Sequence, residues 1–348
     1  MIAGSGRLYS NAIGGGNLIK YIALILLFAF AASLTTSSAV ADTRDCGLKQ
    51  YASIDLEESA NGHLLVPVTI DGTDTLMLLN TNTLTSTLTD TAVSRLSLKT
   101  HASSLRVEKP TGQSYIAQIA TVKTLAIGRV QLQNKEFIEY TASSLSSTAE
   151  RDYADKRVVG IIGMNILAHV DIELDIAHHK MNLYSQHHCP GQVVYWSHAY
   201  DSVPIHLGPQ GEVYFPIELD GKKIEATFST FQATTTLTTD VTRKLYDFDN
   251  NSPDVESEID ASGKTIAHYR AMQLDAVGFK IVNAQITLSD PRSGNCHLGT
   301  RFGAAAYEGC FANPPLALGL NVLKKLHVYI ATKEKILYLT LADISDQH

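Results

Sequence analysis

LLVPVTIDGTDTLMLLNTNTLTSTLTDTAVSRLSL, Leu64 to Leu98, is the stretch whose reading decides the fold. Val66, Val68 and Ile70 alternate as a half-buried strand does, Asp71-Gly72 signals a hairpin turn, and residues 76–79 make a second, more buried strand. The triplet Asn80-Thr81-Asn82 breaks the apolar run. A Thr/Ser-rich strand follows, and Asp90, at an N-cap, opens a short helix with Ala92, Val93 and Leu96 inward.

Downstream, residues 115–125 and 130–140 alternate as strands around a turn at 126–128, and Pro110-Thr111-Gly112 signals an earlier turn. Residues 141–156 read as a polar surface loop. Residues 158–167 are an apolar strand running into a helical turn, and 170–176 with 180–184 form a closing hairpin.

The same order then recurs. Residues 213–219, Asp220-Gly221 and 224–228 repeat the opening hairpin. Pro67 stands 13 residues before Asn80 and Pro216 stands 13 before Ser229, so Ser229-Thr230-Phe231 takes the place of the first triplet. A Thr-rich strand at 233–237 and a short helix at 240–245 come next. Ser262-Gly263-Lys264 answers Thr111-Gly112-Gln113, residues 272–278 answer 122–128, 316–323 answer 161–167, and 327–339 answer the closing hairpin. Offsets of 149 to 156 across separated blocks identify a tandem duplication. The expected organisation is a leader at 1–41, a polar lead-in at 42–62, and lobes at 63–190 and 191–348.

The leader reading rests on Arg7 and Lys20 before an uncharged apolar run from 21 to about 34, with Ala39-Val40-Ala41 as a cleavage site. That run is short of the roughly 20 residues that span a bilayer. Its removal leaves 26 basic against 35 acidic residues, a net charge of −9. The expectation is an exported protein, periplasmic or secreted, with no membrane segment beyond the leader. Charge of mixed sign on 18% of residues, with 45% hydrophobic, excludes a disordered chain and a nucleic-acid footprint. Cys46, Cys189, Cys296 and Cys310 make an even count, so two disulfides are expected in an oxidising compartment. Three connectivities exist, and position favours Cys46–Cys189 and Cys296–Cys310, one per half.

Leu78-Leu79-Asn80-Thr81-Asn82, the Gly112 turn and Ile161-Ile162-Gly163-Met164-Asn165, with Thr227-Phe228-Ser229-Thr230-Phe231, the Gly263 turn and Ala317-Leu318-Gly319-Leu320-Asn321, together resemble the retropepsin-like and pepsin-like aspartic proteases. The likeness spans residues 63–345 and extends to bacterial secreted proteins built from two such lobes. It implies an all-β fold of two tandem lobes with short helices, and an inter-lobe groove under flaps near Gly112, Gln113, Gly263 and Lys264. In the active family the triplet is Asp-Thr-Gly, and two aspartates share one proton because like charges that close cannot both ionise.

Here Asn80 and Ser229 stand at those positions, and neither a carboxamide nor an unassisted hydroxyl is a useful base near neutral pH. Thr81 and Thr230, which in the family bond across the interface, are kept. Asn82 and Phe231 replace the glycines, and Phe231 is expected to crowd the water site. The leading expectation is therefore a catalytically inactive homologue binding an extended peptide or protein segment in the groove by strand addition. The alternatives are an active endopeptidase using other residues, or a purely structural envelope protein with a closed groove.

Other candidates are weaker. Asp90-Thr91-Ala92 sits at a helix start and Asp71-Gly72-Thr73 in a hairpin turn. His178-His179 and His187-His188 lack ligand spacing and read as surface histidines, so no metal and no cofactor is expected. Ser229 has no identifiable base for a nucleophilic role. Tyr195, Trp196 and Tyr200 read as packing of the linker between halves. Oligomeric state stays open, since two lobes suffice as a monomer.

Overall fold

The computed structural model describes residues 46–108, 114–140, 151–208, 211–259, 265–276, 278–290 and 314–342. The first half comprises β1 (Gln50–Asp55), β2 (Glu57–Glu58), β3 (Leu64–Ile70), β4 (Thr73–Leu79), β5 (Thr87–Thr89), α1 (Asp90–Arg95), β6 (Lys99–Glu108), β7 (Ser114–Ile127), β8 (Val130–Tyr140), β9 (Val158–Ile162), α2 (Met164–Leu167), β10 (Asp171–Asp175) and β11 (Lys180–Tyr184). The second comprises β12 (Asp201–Pro204), β13 (His206–Leu207), β14 (Val213–Leu219), β15 (Lys222–Phe228), β16 (Thr235–Thr238), α3 (Thr239–Val241), β17 (Val255–Ile259), β18 (Thr265–Ala276), β19 (Phe279–Ser289), β20 (Leu316–Leu318), α4 (Leu320–Leu323), β21 (Leu326–Ala331) and β22 (Ile336–Leu341).

The opening hairpins form because Asp71-Gly72 and Asp220-Gly221 both take positive φ (47° and 86°, 46° and 77°), as a two-residue hairpin turn matched to strand twist requires. In β3 and β4, Val66, Val68, Ile70, Met77 and Leu79 face one way into the main core, while Leu65, Leu76 and Leu78 face the other. Each half builds an eight-stranded sheet of the same order, β2-β3-β4-β9-β5-β8-β7-β6 and β13-β14-β15-β20-β16-β19-β18-β17. In each, the opening strand also pairs with the long hairpin, β3 with β7 and β14 with β18, which curls the sheet toward a barrel. Two tandem all-β lobes with few short helices result, and the strand order repeats as the sequence does.

A third, six-stranded sheet, β1-β11-β10-β21-β22-β12, joins the halves. Its central ladder sets β10 against β21 antiparallel, Glu173 opposite Tyr329 and Asp175 opposite His327. The closing hairpins, read from sequence as the end of each lobe, thus leave their own sheets and pair with each other. The stretch read as a polar lead-in contributes β1, whose Ala52 and Ile54 are buried against the core.

Three local expectations are corrected. The N-cap of α1 is Thr89, whose hydroxyl accepts from Ala92 N, so Asp90 is the first helical residue, where its charge suits the helix dipole. The helix expected at 240–245 is the short α3 followed by a wider turn over Thr242–Tyr246, stopped by Asp247 in the left-handed region. The surface loop expected at 141–156 ends, over 151–156, in a helical turn that buries Asp152. Among the described residues, no helix is long and apolar enough to cross a membrane.

Candidate functional site

The two triplets are held in equivalent loops by the same bonds in each half. Asn80 N donates to Ile162 O (3.0 Å), and Ser229 N donates to Leu318 O (2.9 Å). Below them Asn165 Oδ1 accepts from Ser86 N and Oγ (3.0 and 2.6 Å), and Asn321 Oδ1 accepts from Thr235 N and Oγ1 (2.8 and 2.9 Å). The same hydroxyls receive Gly163 N (2.9 Å) and Gly319 N (3.0 Å). Ser86 and Thr235 are buried, so these bonds favour the one arrangement of each loop in which their hydroxyls are satisfied. The Asn165/Asn321 and Ser86/Thr235 roles were legible only as matching offsets.

Across the halves, Thr230 Oγ1 accepts from Thr81 N (3.1 Å) and donates to Leu79 O (2.9 Å). The two threonine hydroxyls stand 3.5 Å apart, and both residues are wholly buried. Asn80 turns its amide oxygen back onto Asn82 N (2.9 Å), a local Asx turn, and Thr227 Oγ1 reaches Asn82 Oδ1 (3.4 Å). Ser229 is buried at 2% exposure. Among the described residues, no Asp or Glu side chain is hydrogen-bonded to Asn80, Thr81, Ser229 or Thr230. The arrangement therefore holds two loops, one from each half, together.

Phe231 crosses to the first half. Its ring stacks on His63, centroids 5.0 Å apart and planes 7° from parallel. It packs with Tyr153 on the outward cluster of Leu65, Leu76, Leu78, Val158 and Ile161. His63 cannot swing away: its Nδ1 meets Asp152 Oδ2 at 2.5 Å, and Asn61 Nδ2 donates to Asp152 Oδ1 at 2.5 Å. Both His63 and Asp152 are buried. Burial, then the Asp152 charge, pushes the Tyr153 phenol well above its ordinary value. Nothing in the sequence signalled this pair, whose members lie far apart in the chain and outside any motif.

The six-stranded sheet holds a second polar cluster. Asp171, Glu173 and Asp175 alternate on one face of β10, and each meets an imidazole: His188 at 2.7 Å, His327 at 2.9 Å and His178 at 2.8 Å. Burial raises the Asp171 carboxyl above the usual range despite its bonds to His188 and Thr332. Burial works the same way on Glu173, but hydrogen bonds from His327, Tyr184 and Tyr195 outweigh it, and that carboxyl lies below the usual range. Trp196 stacks on His327 at 4.1 Å and donates to Thr340 Oγ1 (2.9 Å), so it packs the linker as expected. Tyr195, 60% exposed, nonetheless gives its hydroxyl to Glu173. The surface reading of the histidines fails at His188, whose side chain is 3% exposed.

Cys46 and Cys189 are joined, as position favoured. Cys296, Cys310, Gly112, Gln113, Gly263 and Lys264 lie outside the described residues, although the hairpins β6–β7 and β17–β18 that lead to the flap positions are present. Clefts of about 480 and 670 Å³ open on the first half, and neither is lined by a triplet residue.

No protein-family model matches the chain. No curated protein matches it either. Similar solved structures include conglutin gamma, a unique basic 7S globulin from lupine seeds, at 13% identity and a TM-score of 0.49, over 84% of this chain and 95% of that one. Basic 7S globulin from soybean is similar at 10% identity and a TM-score of 0.46, over 86% of this chain and 96% of that one.

Proposed function

We propose that this chain is an exported, catalytically inactive homologue of the aspartic proteases that binds an extended peptide or protein segment between its two lobes. One observation carries the reading: Thr81 and Thr230 tie the two loops together, while among the described residues no carboxylate is hydrogen-bonded to Asn80, Thr81, Ser229 or Thr230. The scaffold that would align an acid pair is kept and the acids are absent. Strand addition suits such a groove, because backbone bonds supply affinity and alternate side-chain pockets supply selectivity. The Cys46–Cys189 disulfide supports export, since such bonds persist in oxidising compartments.

A second reading, a structural protein with a closed groove, is favoured by Phe231, which already covers an apolar surface of the first half. A library of extended peptides incubated with the chain lacking residues 1–41, from acidic to neutral pH and read by mass spectrometry, separates these. The expected result is no cleavage, with some peptides retained. Pepstatin-sensitive cutting by the native sequence would overturn the inactive reading. Silence with nothing retained favours the closed structural protein. The Asn80→Asp/Ser229→Asp double variant, run alongside, is expected to gain cleavage if the lobes still present peptides correctly.

A further inference from the structure

We propose that the cleft of about 670 Å³ on the first half is a binding site for a small organic amine with an apolar body, its ammonium group held by Glu136. The inference does not depend on the peptide-binding reading, because every lining residue belongs to the first half and none to a triplet or a flap turn.

The cleft lies between the outward face of β6, β7 and β8 and the segment 84–86 that leads into β5, with α2 at one end. Its wall is a cross-strand row in which Ile138 lies opposite Ile119 and Ile119 lies opposite His101. Ile138 packs with Ala117 apart from the main core, whereas the adjacent Phe137 and Ala120 enter that core. Leu84 and Ile166 complete the apolar lining, and Leu84 is 37% exposed. A volume of this size suits a small molecule, and such sites are mostly apolar with a few placed polar groups.

The repeat shows what closes such a cleft. At an offset of 149, Thr85, Ile119, Glu136 and Ile138 are answered by Thr234, His268, Gln285 and Thr287. The ladders agree, since His268 lies opposite Thr287 as Ile119 lies opposite Ile138. In the second half Thr287 Oγ1 donates to Thr234 Oγ1 (3.2 Å) and meets His268 Nδ1 (3.3 Å), and Asn321 Nδ2 donates to Gln285 O (2.9 Å). These bonds lace β19 to the segment before β16 and to α4. The first half lacks them. Isoleucine offers Thr85 no polar atom, and among the described residues Asn165 makes its side-chain hydrogen bonds through Oδ1 alone.

Glu136 decides the charge of the ligand. Residues 136 and 138 share a face of β8, so Glu136 stands beside Ile138 at the cleft, while Lys135 alternates with it on the side of Phe137. Among the described residues no Lys or Arg pairs with Glu136. His101, the other ionisable side chain of this row, is separated from it by β7. An unpaired carboxylate beside an apolar wall favours a cation with an apolar tail over an anion.

The probes are 4-phenylbutylamine, 4-phenylbutanol and 4-phenylbutyrate, which share one apolar body and differ in charge, each titrated by calorimetry into the purified chain. The amine is expected to bind most tightly, the alcohol less and the carboxylate least. Glu136→Gln is expected to weaken the amine about fivefold, on the scale of one exposed ion pair, and to leave the alcohol unchanged. Ile119→His/Ile138→Thr, which copies the second half, is expected to abolish binding of amine and alcohol alike. Ile119→His alone, at a half-buried position, is expected to weaken both and serves should the double variant fail to fold. A native chain indifferent to the amine, a carboxylate that binds better than the amine, a Glu136→Gln variant as tight for the amine as the native chain, or binding untouched by Ile119→His overturns the proposal.

Discussion

Thr230 Oγ1 closes two buried backbone groups of the other half at once, accepting from Thr81 N and donating to Leu79 O. Among the described residues, Thr81 Oγ1 makes only the 3.5 Å approach to Thr230 Oγ1. Equivalent in the repeat, the two threonines should be unequal in energy. Thr230→Ala strands both a donor and an acceptor away from water and is expected to lower stability by roughly 2–4 kcal/mol, while Thr230→Ser restores most of it and Thr81→Ala costs less. Urea unfolding of the three variants checks the order. The positions of Asn80 and Ser229 were legible because each follows a buried strand at the same distance from a proline. The direction of Phe231 was not legible. Phe231, expected to crowd the water site, stacks on His63, whose own pairing with Asp152 leaves no periodic trace.

Elements carry two further expectations. Gly163 and Gly319 end matched strands where another segment passes close: a Cβ at Gly163 would stand 2.8 Å from Thr83 O, and one at Gly319 would strike the Thr234 backbone. Neither obstacle is a flexible side-chain end. Gly163→Ala and Gly319→Ala are each expected to cost roughly 1–3 kcal/mol, read as a lowered urea midpoint with an unchanged slope.

On β10 the neighbours Asp171 and Glu173 should respond to pH with opposite sign. The Glu173 carboxyl lies below its ordinary value, so its contribution is present above the usual carboxylate range and is lost as pH falls through its folded pKa. Glu173→Gln should therefore destabilise by about 2 kcal/mol at neutral pH, and the difference should shrink in strong acid. Asp171 lies above its ordinary value, so its ionised form burdens the fold at neutral pH and relief comes as pH falls. Asp171→Asn can still accept from Thr332 and donate to His188, so it should match or exceed the native stability at neutral pH. Thermal unfolding of both variants from pH 3 to 8 tests the signs. The sequence showed this strand only as half of a closing hairpin, because sequence cannot tell whether a charged face meets water or a distant imidazole.

At the scale of the molecule, the halves are joined by the β10–β21 ladder, the Thr230 bonds, the Phe231 stack and a Lys324–Glu58 ion pair. The Cys46–Cys189 bond closes a span of 143 residues that ties the chain entering the first half to the end of its last strand. Cys46→Ser/Cys189→Ser is expected to cost about 4 kcal/mol, the scale for restoring freedom to so long an unfolded loop, and guanidinium unfolding of the oxidised and variant chains measures it. The sequence by itself determined the duplication, the strand alternation, the paired hairpin turns and the matching threonines of the two triplets. Each of these is local, written in the period of one element or in the distance between two copies of it. Only the tertiary structure decided that the closing hairpins join into one sheet, that Phe231 seats on His63, and that three carboxylates of β10 meet three histidines. Periodicity reports which face of an element must leave water or can keep it. It does not report which distant residue will cover that face, because chain closure can deliver any chemically suitable partner at little entropic difference.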